Sequence, residues 1–283
     1  MSDHPRPDFS PADHAELALL LEVAGTPKPG NVDRRRDFDD LRFEHFLAGS
    51  VGARPGLERA ETGAPVGEAF ERAVRGMAQQ RGGNTQFGCL LLLVPLVRAA
   101  GDGDLSPAGA RSVVESTTVA DATDFYRAFE HVDVAVADPP AEVDELDVRR
   151  GAGAVPTLVE RGLTLSDVMA ASDGDANAAE WTGEFERVFD AAATMLSDGG
   201  PAPDRVARAF LRLLASGEDT LVRVEHGEEV AAEVTERARE TGANLDAAES
   251  LATEFVERGI NPGTTADLTA AATFVALERG MPV

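Results

Sequence analysis

FGCLLLLVPLVRAA, residues 87–100, is apolar on all sides of a helical wheel. Strands average about five or six residues, so a run of this length reads as a helix buried around its whole circumference. A polar hinge, Gly82-Gly83-Asn84-Thr85, precedes it. Working outward, the pattern stays helical. Residues 11–24 wrap Ala15, Leu17, Ala18, Leu20 and Leu21 around one face, with Ser10-Pro11 as cap and first turn. Acids at 37–40 open a helix whose apolar face is Phe38, Leu41, Phe43, Phe46 and Leu47 and which fades near Gly52 to Pro55. Further helices are predicted over 65–80, 119–134, 165–171, 175–196, 203–215, 228–240, 244–258 and 265–279. Residues 138–153 carry Pro139-Pro140 and Gly151 and read as a long loop. Strict alternation of β-branched residues is missing. The expectation is an all-α protein, one compact multi-helix domain over residues 1–283 around a buried central helix.

Composition narrows the function classes. Fifty acidic against 26 basic side chains give a formal net charge of -24, while hydrophobic content of 43% is that of a globular core. Such a field disfavours nucleic acid and anionic membranes as partners. The acids are spread over helical faces. With lysine almost absent and aromatics few, this is the composition of a protein from a high-salt cytoplasm, where repulsion is screened. One cysteine, Cys89, leaves no disulfide and no cysteine metal cluster within the chain. Residues 1–10 lack a signal-peptide pattern, and the longest apolar run is too short to span a bilayer. A cytoplasmic location is expected; oligomeric state is not readable.

The second decisive stretch is EVAGTPKPGNVD, residues 22–33, which holds the only lysine in the chain. Pro27 and Pro29 fix the backbone on both sides of Lys28. A sequence that otherwise uses arginine and keeps one lysine between prolines points to a compact ammonium at work there. Glu22 lies one turn before it, Asn31 and Asp33 just after. Four more polar clusters fall at helix ends, where backbone donors are free. They are Arg42, Glu44 and His45; Gly82 to Gly88, with Gly83, Asn84 and Thr85; Glu218-Asp219-Thr220 with Arg223; and residues 261–267, with Gly263 and Asp267. The GxxxxGKS and GxGxxG patterns are missing, so P-loop and Rossmann readings fail. The carboxylates Asp33, Asp219 and Asp267 are of the type that holds Mg²⁺ against a phosphate chain.

Taken in order, LLEVAGTPKPGNVD (20–33), GGNTQFG (82–88), Glu218-Asp219-Thr220 with Arg223, and NPGTTADLTAAATF (261–274) resemble the triphosphoribosyl-dephospho-CoA synthase family. These anchors cover essentially the whole chain. The resemblance implies an all-helical transferase that uses ATP as ribosyl donor. The 2′-hydroxyl of dephospho-CoA attacks C1′ of the ATP ribose, and adenine leaves. It implies Glu22, Lys28 and Asp33 as catalytic residues. Lys28, Asn31, Arg34, His45, Gly83, Asn84, Thr85, Arg223 and Gly263 are implied as ligand-binding residues, and Asp33, Asp219 and Asp267 as Mg²⁺ ligands. Two departures stand out. Gln86 and Phe87 occupy positions where bacterial members carry histidine and lysine, and residues 37–45 replace the usual glycine-serine-histidine-x-aspartate-methionine segment. These departures keep other expectations open: a relative acting on another nucleotide or coenzyme precursor, a hydrolase of a ribosyl bond, or a non-catalytic helical nucleotide-binding protein.

Overall fold

A computed structural model describes residues 9–139, 141–172 and 174–283. Pro140 and most of the N-terminal segment discussed above lie outside the described residues. The chain begins with α1 (Pro11–Ala24), α2 (Phe43–Glu61), α3 (Val66–Met77) and α4 (Phe87–Gly101). Then come α5 (Pro107–Glu115), α6 (Val119–Ala128), α7 (Val155–Arg161), α8 (Leu165–Ala171) and α9 (Ala176–Thr182). It ends with α10 (Glu186–Ser197), α11 (Ala202–Ser216), α12 (Thr220–His226), α13 (Glu228–Thr241), α14 (Leu245–Glu257) and α15 (Gly263–Glu278). Among the described residues there is no strand, and the class is all-α as expected.

Helix α4 is the buried helix anticipated from its composition, packed against α1, α2, α3 and α15. Pro95 inside it cannot donate to the carbonyl of Leu91, one turn back. The Trp181 indole Nε1 donates to that carbonyl instead, at 3.2 Å. A buried acceptor that proline would orphan is thus satisfied from a distant helix. α15 is a second helix buried nearly all round, from Thr264 to Leu277. Its buried hydroxyls return to the helix: Thr269 and Thr273 donate to the carbonyls of Thr265 and Thr269, both at 2.7 Å.

Several predicted elements are corrected. The helix expected to open at 37–40 starts at Phe43, because Asp37 Oδ1 accepts from the Phe43 N–H at 2.7 Å and ends a turn rather than starting a helix. It does not fade at Gly52 to Pro55 but runs on to Glu61. Those glycines are packing sites. A Cβ on Gly52 would overlap the Gly76 carbonyl of α3, and one on Gly56 would meet Ala69 O at 2.6 Å. Residues 129–134 leave α6 and continue extended. The predicted loop at 138–153 contains two 3₁₀ helices, Ala141–Leu146 and Val148–Ala154, and α7 follows directly.

The long helix expected over 175–196 is two helices. Glu184 and Phe185 adopt left-handed φ of 57° and 58° between them. Phe185 is fully buried there, and Glu180 Oε2 accepts from the Val188 N–H at 3.2 Å, serving the new helix start. Helices α5, α7 and α12 were not anticipated. No helix among the described residues is long and apolar enough to cross a membrane.

Candidate active site

A cavity of about 900 Å³ opens between the end of α1, the turn before α4, α6, α8, α9, α12 and the start of α15. One wall is apolar, with Phe87, Leu91, Phe125, Phe129, Val168 and Met169. The other carries the polar groups: Glu22, Asn31, Asn84, Thr85, Asn177 and Asp267. A largely apolar cleft with a few converging polar groups is the usual form of a small-molecule site.

The 22–33 stretch folds as a closed knot of charge. Lys28 is 0% exposed and lies behind the cavity wall, not in it. Its Nζ is bound by the Glu22 carboxylate and donates to Asn31 Oδ1 at 2.9 Å. The Phe210 ring lies 5.8 Å away. Glu22 and Asn31 face the cavity, and Asn31 Nδ2 passes the chain of bonds to Asn261 Oδ1 at 3.0 Å. Burial raises the pKa of Glu22, with the Lys28 charge opposing the shift in part. Asp33 is turned away from the cavity. It accepts from the backbone N–H groups of Lys28 (3.2 Å), Arg35 (2.8 Å) and Arg36 (3.1 Å), and from the Arg36 guanidinium (3.0 Å).

The second polar centre is Asp267, one turn into α15. Its Oδ1 accepts from Cys89 Sγ at 3.2 Å and its Oδ2 from Asn177 Nδ2 at 2.8 Å. Burial pushes its pKa up to about 7, and the nearby charges of Asp219 and Glu22 add to that. The same burial, with Asp267 beside it, holds the Cys89 thiol well above its ordinary value. Gly88 makes the approach of α15 feasible. A Cβ there would overlap Asp267 Oδ2 and stand 2.7 Å from Asn177 Nδ2.

The remaining expected residues separate into two groups. Asn84, Thr85, Arg223 and Gly263 line the cavity. Asn84 Oδ1 caps the Phe87 N–H at 3.0 Å, and Thr85 Oγ1 has no protein partner. The Arg223 guanidinium is tied to the Gly174 carbonyl. Arg34, His45 and Gly83 fall outside the lining. Arg34 Nε reaches Thr26 Oγ1 at 3.4 Å, and His45 Nδ1 accepts from the Arg42 N–H at 3.2 Å.

Asp219 is a corrected expectation as a metal ligand. It caps α12 through Val222 N at 3.2 Å and holds α15 through Thr265 N and Oγ1, both at 2.7 Å. With Asp33 and Asp219 both spent on protein donors, the trio with Asp267 does not fit a shared Mg²⁺ ion. Among the described residues no group of three or more His, Cys, Asp or Glu side chains has metal-holding geometry.

Asn177 and Asp175 escaped the sequence reading. Asn177 falls on the same face of its helix as Trp181, four residues on, and a carboxamide on an apolar face was the available signal. Asp175, the N-cap of α9, lines the cavity with a carboxyl pKa raised by burial.

A family model described as ATP:dephospho-CoA triphosphoribosyl transferase matches residues 8–282. The crystal structure of a protein from Archaeoglobus fulgidus, a candidate triphosphoribosyl-dephospho-CoA synthase, is similar with a TM-score of 0.68 and 26% identity. The match covers 83% of this chain and 99% of that one. No curated protein matches the chain.

Proposed function

Since the chain belongs to the ATP:dephospho-CoA triphosphoribosyl transferase family, we propose that its cavity binds ATP as triphosphoribosyl donor and dephospho-CoA as acceptor. The observation that carries this reading is the meeting of two buried carboxyl groups, Glu22 and Asp267, in one cavity, each held by its own partner. Transfer at C1′ of the ATP ribose needs a base for the attacking hydroxyl, a negative field for the oxocarbenium-like transition state and a proton for departing adenine. Glu22, made more basic by burial and oriented by Lys28, suits the first two roles. Asp267, poised near neutrality, suits the third. Pairs of carboxyl groups whose surroundings differ are a recurring way to divide acid from base.

For the triphosphate we assign Arg223 and the backbone donors at the start of α15, Gly263 and Thr264, with Asn84 and Thr85 opposite. Mg²⁺ enters this reading only with the ATP phosphates, as their counter-ion. Lys28 and Asp33 act from behind the wall, Lys28 on Glu22 and Asp33 on the turn that carries Lys28. We read the acidic surface as an adaptation to salt, so the assay belongs in concentrated KCl.

One observation favours a second reading, in which the acceptor is a less anionic coenzyme precursor. Arg223 is the only basic side chain among the described lining residues, against carboxylates that include Asp133, Asp167 and Glu225. The experiment that separates these readings follows adenine release from ATP by chromatography, with and without dephospho-CoA. Release that depends on dephospho-CoA supports the first reading. Release without it points to hydrolysis or another acceptor. Neither release nor ATP binding sinks the transferase proposal.

A further inference from the structure

Asn177 is 8% exposed and lines the cavity, yet its Oδ1 has no hydrogen-bond partner in the protein. A buried carbonyl oxygen left unpaired costs about 1–3 kcal/mol, and a folded chain keeps such a group where a ligand completes it. The rest of the side chain is fixed. Its Nδ2 is committed to Asp267 Oδ2 at 2.8 Å, and Gly88 leaves no slack on that side. The carboxamide therefore cannot turn its nitrogen toward the cavity without losing the bond to Asp267. Asn177 presents an acceptor and not a donor.

Both substrates of the proposed reaction carry an adenine, whose 6-amino group is a donor, and asparagine is a residue type suited to that edge of the base. We propose that Asn177 reads the 6-amino group of an adenine bound in the cavity, with Asp267 as the positioning residue that locks its carboxamide in the accepting orientation. This rests on the transferase reading above and adds the residue that selects the base. The adenine belongs to the donor ATP or to the acceptor dephospho-CoA, and the chemistry at Asn177 is the same in both cases. A 6-oxo purine would place a carbonyl oxygen against Asn177 Oδ1, and an unsubstituted purine would leave Oδ1 unpaired. A site built around one polar group rejects analogues that lack it more sharply than an apolar pocket does.

The test compares ATP with inosine triphosphate and purine-riboside triphosphate as donors, and dephospho-CoA with its inosine analogue as acceptor. It uses the wild-type chain, Asn177→Ala and Asn177→Asp. The wild type is expected to prefer the 6-amino compound by about 10- to 100-fold in kcat/KM, the factor that an unpaired buried acceptor supplies. Asn177→Ala brings the preference to within a few-fold of unity for the substrate whose base it contacts. A change confined to the donor series assigns the leaving adenine; a change confined to the acceptor series assigns the adenine of dephospho-CoA. Equal use of amino and oxo compounds by the wild type overturns the proposal whether or not the variants fold. So does an unchanged preference in a folded Asn177→Ala protein, where Asn177 would serve only to hold Asp267. Nucleotide-induced melting shifts, read without an acceptor, report base selection even where transfer fails. Failure of the reaction and failure of base recognition are thereby distinguished.

Discussion

The Lys28 ammonium is bound by the Glu22 carboxylate, and it is Glu22, not Lys28, that meets the cavity. Both side chains are buried, at 0% and 1% exposure. The pair places a negative group at the reaction end of the cavity and sets its cation one layer back. A guanidinium fork in that slot would need room for its plane and for more donors than Glu22 and Asn31 can accept.

Replacing Lys28 by methionine leaves the Glu22 carboxylate buried without its cation, which costs about 3–5 kcal/mol of stability. Adding Glu22→Gln to Lys28→Met removes the stranded charge and recovers most of that loss. Turnover stays low in both, because the carboxylate has been freed in one and lost in the other. Denaturant unfolding of the two singles and the double measures the coupling. A double variant no more stable than Lys28→Met would contradict the ion-pair account.

Gly88→Ala tests the close approach of α4 to α15. The new methyl group would overlap Asp267 Oδ2 and crowd Asn177 Nδ2, so α15 must shift or Asp267 must turn. Overpacking of this kind costs about 1–3 kcal/mol, and an ångström of displacement at a reacting group costs about 10²-fold in rate. The expected result is a folded protein with a modestly lower melting temperature and turnover reduced by about two orders of magnitude. Wild-type turnover would place the reaction elsewhere in the cavity.

How much of this was legible beforehand varied with the physical signal. The all-α class and the buried α4 follow from unbroken apolar periodicity, a signal that tertiary contacts rarely reverse. Gly52 and Gly56 misled as helix breakers because a glycine that admits a neighbouring helix backbone looks, in sequence, like one that ends a helix. The break at Glu184 and Phe185 left no turn residue to notice; it depends on Glu180 and the burial of Phe185. At the site, Glu22, Asn31 and Asp267 were named and line one cavity. Asp33 and Asp219 were named for chemistry and turned out to be spent on backbone donors. A carboxylate that ties two helix ends and one that faces a ligand have the same sequence signature. Which donors are nearby separates them.

Asp219→Ala should therefore act on folding. It strips the Thr265 N–H, the Thr265 hydroxyl and the Val222 N–H of their acceptor. Loss of a helix cap and of buried hydrogen bonds costs about 3 kcal/mol. The magnesium dependence of turnover, measured below the lowered melting temperature, should match the wild type. A raised requirement for magnesium with unchanged stability would restore Asp219 as a metal ligand.

Stability should also record the state of Asp267. Its ordinary pKa of 3.8 is raised to about 7 by burial in the folded chain. Between those values the folded state holds a proton that the unfolded state has lost, so stability falls as pH rises across this window. The stabilising contribution is full below about pH 4 and gone above about pH 7. Its size is on the order of a few kcal/mol, from roughly 1.4 kcal/mol per pKa unit. Glu22 shifts in the same direction and steepens the fall. In Asp267→Asn the slope contributed by this group disappears, and the difference between the two proteins isolates it from the other carboxylates. Turnover by the wild type should decline above about pH 7 as the proton offered to adenine is lost. Denaturant unfolding across the window, in matched KCl, measures the first effect, and a pH profile of adenine release measures the second. Parallel stability curves for wild type and Asp267→Asn would show that Asp267 is ionised throughout, and with that result its role as proton donor would fall.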